Sequence, residues 1–168
     1  SKDEVLVGFR ERIDRRFVAR MNSCVVLRPP AGDLIAPLAT LIQELSIRAS
    51  VPQVEVAVGD DSCVLVFRVL EPPTDEDLVA LAAFGRVHKV HVYVQPGGLD
   101  TIRPLPGEAP AALSYEVAGL QFEFTPTSFI QVNGEMNEVL VAEAMAHLQM
   151  TEGMRVLDLF CGLGNFTL

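Results

Sequence analysis

The end of the sequence constrains the fold most strongly. Residues 155–160 (Arg-Val-Leu-Asp-Leu-Phe) predict a buried strand, and Gly162 and Gly164 follow it in a Gly-x-Gly turn. A helix, an apolar strand and a glycine turn are typical of the opening of an α/β sheet, in which a crossover helix comes next. The 168 residues end before that helix. Because chain ends usually lie at the surface, the pattern predicts a fragment that stops inside a second domain.

Residues 1–112 predict a different architecture, an α+β domain whose antiparallel sheet carries helices on one face. Alternating apolar residues predict five strands, at residues 5–9, 17–21, 54–58, 64–70 and 89–94. We expect hairpins to join the first pair and the second pair, because short polar turn sequences separate them.

Two helices are expected in this domain. Asp33 is placed to cap a helix that runs to about Arg48. Thr74 and Asp77 are spaced like a capping box for a second helix, which we expect to end at Phe84. Residues 96–112 are rich in Pro, Gly and Ala and predict a linker at the domain boundary.

Residues 113–168 then predict the first elements of a Rossmann-like domain. A hairpin is expected from strands at 114–117 and 120–124, followed by an amphipathic helix at 137–148 that Gly153 terminates. The strand at 155–160 and the glycine turn complete the series.

Charge and cysteine content limit the functional class. The net charge is -9 and 49% of the residues are hydrophobic, which disfavours both disorder and a generic nucleic-acid binder. No apolar run approaches the roughly 18 residues of a membrane-spanning helix, and three cysteines are too few for a disulfide framework. We therefore expect a soluble cytoplasmic protein with no membrane partner.

Residues 1–30 differ from this average, since they hold seven basic and four acidic side chains. The predicted first hairpin carries four candidate phosphate contacts: Arg10, Arg12, Arg15 and Arg16. The cluster also fits the solvated face of a strand, which is the commoner meaning of such a charge run. Both interpretations stay open on sequence alone.

The glycine turn has two interpretations as well. Glycines after a parallel strand let a ligand approach the backbone at the start of a helix, but a tight structural turn uses the same residues. Thr167 occupies the position of the third glycine of a dinucleotide fingerprint, which disfavours a pyrophosphate ligand.

Longer motifs carry a family resemblance. Residues 124–133 are Phe-Thr-Pro-Thr-Ser-Phe-Ile-Gln-Val-Asn, and residues 156–168 are Val-Leu-Asp-Leu-Phe-Cys-Gly-Leu-Gly-Asn-Phe-Thr-Leu. Together with Asn137 they closely resemble the RNA uracil-5-methyltransferases that use S-adenosylmethionine, in particular the 23S rRNA branch of the RumA type. The specific motifs cover residues 120–168; residues 1–119 fit the same family by the order of elements and by residues 7–10.

The resemblance implies a cofactor site. Gln131, Phe160 and Asn165 match positions that hold S-adenosylmethionine, and Gly162 and Gly164 form the loop beneath it. An amide, a flat apolar ring and a polar group at a helix start suit this cofactor. From the residues alone, Phe160 fits core packing and Asn165 fits an ordinary helix cap.

Phe129 and Cys161 each leave an alternative open. Phe129 shares a face with Gln131 in an extended segment, so it could pack against an extruded base; core packing is the alternative. Cys161 near a helix start could act as a nucleophile, but the resemblance places it in the cofactor loop. It implies that the attacking cysteine belongs to a Ser-Cys-Asn-Pro segment, which this sequence lacks.

Cys24 matches the fourth ligand of an iron-sulfur cluster in the resembling enzymes, whose other three cysteines lie upstream. Since such clusters are normally held by four thiolates, we expect none in this chain by itself. Cys24 as a small buried apolar residue is the alternative.

The implied reaction is methylation of uracil C5 in 23S rRNA. A cysteine thiolate adds to C6, C5 attacks the methyl group of S-adenosylmethionine, and a base removes the C5 proton. With the nucleophile and base expected beyond residue 168, we expect this chain alone to be inactive. Two alternatives are an RNA-binding or interaction module without catalysis, and a small-molecule-binding protein. We also expect self-association through residues 150–168, because the predicted strand leaves an unpaired edge.

Overall fold

A computed structural model of the protein describes residues 4–167. The chain is α+β, with a mixed sheet, a separate hairpin and α-helices. The strands are β1 (Gln53–Val58), β2 (Cys63–Arg68), β3 (His91–Gln95), β4 (Arg103–Pro104), β5 (Leu113–Val117) and β6 (Leu120–Phe124). The helices are α1 (Ile35–Glu44), α2 (Asp75–His88) and α3 (Gly134–Leu148), with short 3-10 turns at Ala31–Leu34, Arg48–Ser50 and Leu99–Thr101.

The first sheet has the order β1-β2-β3-β4 and is mixed. The β1–β2 hairpin expected from the sequence is confirmed, with Val58 opposite Cys63 at its turn. The expectation of an antiparallel sheet is wrong for β3, which runs parallel to β2. Helix α2 connects these two strands, and a helical crossover brings the chain back in the same direction.

The capping box that starts α2 is confirmed. The Asp77 backbone N–H donates to Thr74 Oγ1 over 3.2 Å, and the Thr74 N–H donates to Asp77 Oδ2 over 3.0 Å. The helix continues past Phe84 to His88, where Lys89 ends it in the left-handed conformation. Such a residue satisfies the last carbonyls of the helix.

The expected cap of the first helix is wrong. Asp33 lies inside the 3-10 turn that precedes α1, and α1 begins at Ile35 without a side-chain cap. The preceding turn continues directly into the helix, so the N-cap position falls on Leu34. Helix α1 also ends at Glu44 instead of near Arg48.

The N-terminal hairpin forms only in part. One antiparallel bridge joins Arg10 and Val18, and the Ala19 N–H donates to the Phe9 carbonyl over 2.9 Å. The strands expected at residues 5–9 and 17–21 are absent as regular elements within residues 4–167. Phe9 and Phe17 remain exposed, so little apolar burial is available to extend the ladder.

Side chains cover the first sheet on both faces. On one face, α1 and α2 pack over a core that includes Leu65, Phe67 and Val92. On the opposite face, the β5–β6 hairpin packs against the sheet, and its buried cluster comprises Ala57, Val64, Val66, Tyr93, Leu113 and Phe124. Strand β2 therefore lies between two layers, which explains why its residues 63–67 are all buried.

The stretch 96–112, expected to be a linker, belongs to the sheet. It contains β4, which pairs with β3, and Leu105, which is buried in the first core. The Ala111 N–H also donates to the Tyr93 hydroxyl oxygen over 2.8 Å. The proline and glycine content predicted irregular backbone here, but it did not predict the contacts that hold this stretch against the sheet.

The β5–β6 hairpin is confirmed. Its turn residues Ala118 and Gly119 have φ values of 52° and 77°, as a two-residue type I′ turn requires. The third expected helix is also confirmed: α3 begins three residues earlier than expected and has Asn133 as its N-cap.

The strand expected at residues 155–160 is absent from the structure. These residues form irregular backbone and turns, and Leu157, Leu159 and Phe160 are exposed. Helix α3 ends at Gln149, which is left-handed, instead of at Gly153. No strand within residues 4–167 pairs with this segment, and an isolated strand without a partner is not stable.

No helix in the described part of the chain is long and apolar enough to span a membrane.

Candidate cofactor-binding site

The glycine loop follows the irregular segment after α3. Phe160, Gly162 and Gly164 all have positive φ, at 63°, 59° and 91°. A Cβ atom at Gly162 would meet nothing within 4 Å, so the backbone conformation, and not lack of space, favours glycine there. The Gly164 N–H donates to the Cys161 carbonyl over 2.9 Å, and Thr167 Oγ1 donates to Asp158 Oδ2 over 2.8 Å. The Thr167 N–H donates to the Gly164 carbonyl over 2.9 Å, so the loop consists of two successive turns.

Asn165 joins this loop to the rest of the molecule. Its side-chain amide forms a reciprocal pair with Asn137: Asn165 Nδ2 donates to Asn137 Oδ1 over 2.8 Å, and Asn137 Nδ2 donates to Asn165 Oδ1 over 3.0 Å. The Tyr115 hydroxyl also donates to Asn165 Oδ1, over 3.3 Å. Helix α3, strand β5 and the glycine loop therefore meet at one polar cluster, which we call the amide cluster (Tyr115, Asn137 and Asn165).

The first turn of α3 positions Asn137. The Asn133 side chain accepts from the Met136 N–H over 3.0 Å and starts the helix. Asn137 then falls on the inner face of α3 with 4% of its surface exposed, and Val141 occupies the same face one turn later. An amide buried to this extent is costly unless it is hydrogen-bonded, and Asn165 provides the partner.

Aromatic packing positions Tyr115. Its ring stacks on Phe122 with centroids 5.2 Å apart and contacts Phe124 at 5.9 Å. Burial raises the pKa of the Tyr115 phenol, so its hydroxyl stays protonated and available as a donor. Leu163 of the glycine loop packs against the same core as the hairpin. The loop is thus fastened to β5–β6 by both polar and apolar contacts.

Apart from the two glycines, the other cofactor residues expected from the sequence lie on the surface. The Phe160 ring is fully exposed, and Gln131 is exposed in the segment before α3. Asn165, in contrast, is hydrogen-bonded to the side chains of Asn137 and Tyr115. Leu168, the last residue of the motif, lies outside the described residues.

Phe129, the candidate base contact, borders a cavity of about 260 Å³. The ring is largely exposed, and the cavity continues over Phe124, Ile130 and Val132 towards Leu27 and Arg28. The cavity is mostly apolar and contains none of the five expected cofactor residues.

The arginines of the N-terminal loop are all exposed. Arg16 pairs with Asp14 over 2.7 Å, and the hydrogen bonds from Arg16 hold the pKa of that carboxyl below its usual value. Arg10 Nη1 donates to the Arg15 carbonyl over 2.7 Å. In the residues that the structure describes, no ion pair involves Arg12 or Arg15.

The three cysteines differ in how far they are buried. Cys24 is half-buried, and its backbone N–H donates to the Gly32 carbonyl over 3.0 Å. Burial raises the pKa of Cys63 to about 11, which keeps it a neutral thiol. Cys161 is exposed. Across residues 4–167, no group of three His, Cys, Asp or Glu side chains is arranged to hold a metal ion.

The chain is similar in sequence to proteins of known name. A model of the tRNA (Uracil-5-)-methyltransferase family matches residues 111–168. Along its whole length, the chain is 46% identical over 170 residues to the 23S rRNA (uracil(1939)-C(5))-methyltransferase RlmD of Stenotrophomonas maltophilia. It is 49% identical over 169 residues to the protein of the same name from Nitrosococcus oceani. The chain is thus similar, along its whole length, to a part of these RNA uracil-5-methyltransferases.

These matches confirm the resemblance seen in the motifs, but the chain covers only part of the length of the proteins it matches. The chain spans 38% of the Stenotrophomonas protein and 37% of the Nitrosococcus protein. Among solved structures, it is similar to the Pyrococcus abyssi tRNA (uracil-54, C5)-methyltransferase, which was solved in complex with S-adenosyl-L-homocysteine. The TM-score is 0.61 at 16% identity, covering 95% of this chain and 41% of that one. At that identity the similarity establishes the fold alone.

The region that matches the tRNA (Uracil-5-)-methyltransferase family model, residues 111–168, begins directly before β5 and contains the whole amide cluster. Sequence reasoning singled out Asn165 but assigned no role to Asn137 or Tyr115. One signal was present: Asn137 lies in the first turn of a helix, four residues before Val141 on its apolar face. An asparagine on that face requires a partner, but spacing alone does not identify it.

Proposed function

We propose that the chain is part of an S-adenosylmethionine-dependent enzyme that methylates C5 of uracil in 23S rRNA. The observation that carries the proposal is the match over all 168 residues to relatives named for that reaction, at 46% and 49% identity. The P. abyssi neighbour supports the cofactor, because it was solved with S-adenosyl-L-homocysteine, the demethylated form of that methyl donor.

The proposal divides the chain into two parts. Residues 1–112 form the central α+β domain, and residues 113–168 contribute the hairpin, the helix and the cofactor loop of a Rossmann-like methyltransferase domain. The nucleophile and the base come from outside residues 1–168. The extent of the relatives supports this division, since the chain covers less than two-fifths of their length.

The side chains present fit S-adenosylmethionine in chemical type. Gln131 and Asn165 supply amides, the exposed Phe160 ring supplies a flat apolar surface, and Gly162 and Gly164 leave space for a ligand beside the backbone, where a side chain would otherwise lie. When bound there, the cofactor supplies the methyl group. The chain's own part is to hold the loop in position, which the turn bonds within residues 158–167 and the amide cluster achieve.

The same proposal assigns RNA contacts to the N-terminal loop and to Phe129. The exposed guanidinium groups of Arg10, Arg12, Arg15 and Arg16 suit phosphate oxygens, and the exposed Phe129 ring suits a nucleobase. A substrate in the ribosome also favours a cytoplasmic location. The second candidate function, an RNA-binding module without catalysis, rests on the same arginines.

We also assign Cys24 to an iron-sulfur cluster of the longer protein, with three ligands from outside this chain. The half-buried position of Cys24 suits a ligand at the edge of such a site. Iron and sulfide analysis of the longer protein and of its Cys24→Ser variant tests this. Equal iron content in both proteins would remove the assignment.

Self-association through residues 150–168 is part of the proposal for the isolated chain. The exposed side chains Leu157, Leu159 and Phe160 support it, because a cluster of this kind is unusual on a monomer. Sedimentation of the chain against a Leu157→Asp, Leu159→Asp variant tests it. A parent chain that sediments as a monomer would contradict it.

The decisive experiment measures methyl transfer. The 168-residue chain and the longer protein that contains it are incubated with methyl-labelled S-adenosylmethionine and a 23S rRNA transcript, and the nucleosides are analysed. We expect 5-methyluridine from the longer protein and none from the chain alone. No product from the longer protein, or label on another base, would overturn the proposal. Product from the chain alone would overturn the external placement of the nucleophile.

Alanine substitution of the four arginines tests their assignment to RNA, and the methyl-transfer assay separates the two candidate functions. In either case we expect weaker RNA binding and a flatter dependence on salt concentration. If RNA binds and no methyl group is transferred, the module without catalysis is favoured. RNA binding unchanged by the four substitutions would remove the arginines from both.

A further inference from the structure

The amide cluster determines which hydrogen bonds Asn165 can still make. An asparagine side chain has two N–H donors on Nδ2 and two lone pairs on Oδ1. Both lone pairs of Asn165 are used, one by Asn137 Nδ2 and one by the Tyr115 hydroxyl. One of its two N–H groups is used by Asn137 Oδ1. A single N–H therefore remains for a ligand.

Asn137 holds the Asn165 side chain in place through two hydrogen bonds at once. The orientation of the pair follows from Tyr115, whose hydroxyl donates to Asn165 Oδ1; if that hydroxyl accepted instead, both amides would turn over together and Asn165 would present its oxygen. Asn137 is 96% buried and is carried on a helix whose first turn is capped. With Tyr115 donating, Asn137 must donate to Oδ1 and accept from Nδ2, and Asn165 then presents a donor.

We propose that Asn137 is a positioning residue that, with Tyr115, holds Asn165 so that its one remaining N–H binds the carboxylate of S-adenosylmethionine. This inference rests on the proposed function for the identity of the ligand. The amino-acid end of the cofactor carries a carboxylate and an ammonium group. An N–H donor binds the carboxylate, the strongest acceptor in the molecule, and cannot bind the ammonium.

Two ligands separate positioning from a general structural effect. S-Adenosylmethionine has the carboxylate, and decarboxylated S-adenosylmethionine lacks only that group. In calorimetric titrations of the longer protein, we expect Asn137→Ala to weaken S-adenosylmethionine binding about tenfold, because hydrogen bonds to charged groups are worth at least that much. Binding of the decarboxylated ligand should be unchanged within about twofold.

Asn165→Asp and Val141→Ala complete the set. The aspartate has no N–H for the ligand or for Asn137 Oδ1, and its charge repels the ligand carboxylate, so it should weaken S-adenosylmethionine binding by more than about tenfold. Val141→Ala removes buried volume from the same face of α3 without touching the amide cluster. It should lower stability and leave the ratio of the two affinities unchanged.

The outcomes distinguish this inference from the proposed function. If the longer protein binds S-adenosylmethionine and Asn137→Ala weakens both ligands equally, Asn137 has only a structural role and the inference is wrong. If the parent protein binds neither ligand, the proposed function and the carboxylate contact both fail. The cluster itself is tested in the 168-residue chain by NMR. The Asn165 side-chain proton bonded to Asn137 Oδ1 should exchange with solvent more slowly than in the Asn137→Ala variant, and equal rates would overturn the pairing.

Discussion

Strand β2 and residues 155–160 have similar sequences but different structures. β2 is Cys-Val-Leu-Val-Phe-Arg, and residues 155–160 are Arg-Val-Leu-Asp-Leu-Phe. β2 pairs with β1 on one edge and β3 on the other, and layers cover both its faces. Residues 155–160 are mostly exposed and pair with no strand in the described part of the chain. An apolar pattern therefore shows that a segment can form a buried strand. Whether it does so depends on the strands and layers that are available to pack against it.

The largest effect should come from Phe67, near the C-terminal end of β2. Its side chain is fully buried between α1, α2 and the sheet. Phe67→Ala should lower the free energy of unfolding by about 3–5 kcal/mol, from lost burial and the cavity left behind. Urea unfolding followed by circular dichroism measures this. A loss below about 1 kcal/mol would show that β2 is not the centre of the stable region.

Asp77 should come next, because it joins α2 to the turn after α1. Its carboxylate accepts from the Ser46 N–H and hydroxyl over 2.8 and 2.6 Å, in addition to the Thr74 N–H. Asp77→Ala should lower the free energy of unfolding by about 2 kcal/mol. The matched control is Asp75→Ala, an exposed carboxylate in the same helical turn, which should cost less than about 1 kcal/mol.

Asp77 also predicts a pH dependence. Burial alone would raise the pKa of Asp77, but the hydrogen bonds from Ser46 and Thr74 outweigh it, so the pKa lies below its ordinary value. A carboxyl with a lowered pKa in the folded state stabilises the protein above its unfolded pKa of about 3.9 and loses that contribution as the pH falls through the folded value. Between pH 6 and pH 3, the parent should lose more stability than Asp77→Ala. Parallel stability curves would refute this.

A smaller effect is expected where β5 joins the sheet. Asp60, in the β1–β2 turn, pairs with Arg28 over 2.8 Å and accepts from the Glu116 N–H over 2.8 Å. Asp60→Ala should lower the free energy of unfolding by about 1 kcal/mol, since the pair is partly exposed. Asp61→Ala, at the adjacent turn position, is the control. Equal effects would show that the Asp60 contacts do not hold the hairpin.

The smallest effect is expected at Phe160. Its ring is fully exposed, so Phe160→Ala should change the free energy of unfolding of the chain by less than about 0.5 kcal/mol. The same urea titration tests it beside Phe67→Ala. A loss of 2 kcal/mol or more would show that residues 155–160 pack in solution, and the contrast with β2 would disappear.

Local signals accounted for much of the fold. The β1–β2 turn, the Thr74–Asp77 capping box and the Ala118-Gly119 turn each depend on residues within a few positions of one another, and each is confirmed. The direction of β3 was not predicted, because strand direction depends on how the chain packs and not on the pattern within the strand. The same applies to the absent strand at 155–160, which lacks a partner.

The candidate site shows the same division. The glycines and Asn165 were chosen from one short motif, and their cofactor role remains a prediction. The contacts that hold Asn165 come from Asn137 and Tyr115, which are 28 and 50 residues away. No spacing in the sequence relates these three positions, so only the packing of α3 against β5 brings them together.

The layer formed by β5–β6 has a consequence for synthesis. The sheet face around Val64 and Val66 is covered by Leu113 and Phe124, and Phe124 is translated 60 residues after Val64. At about 5–20 residues per second, this apolar face stays uncovered for roughly 3–12 s as the chain leaves the ribosome. The nascent sheet is thus an expected chaperone client until the hairpin emerges and closes over it.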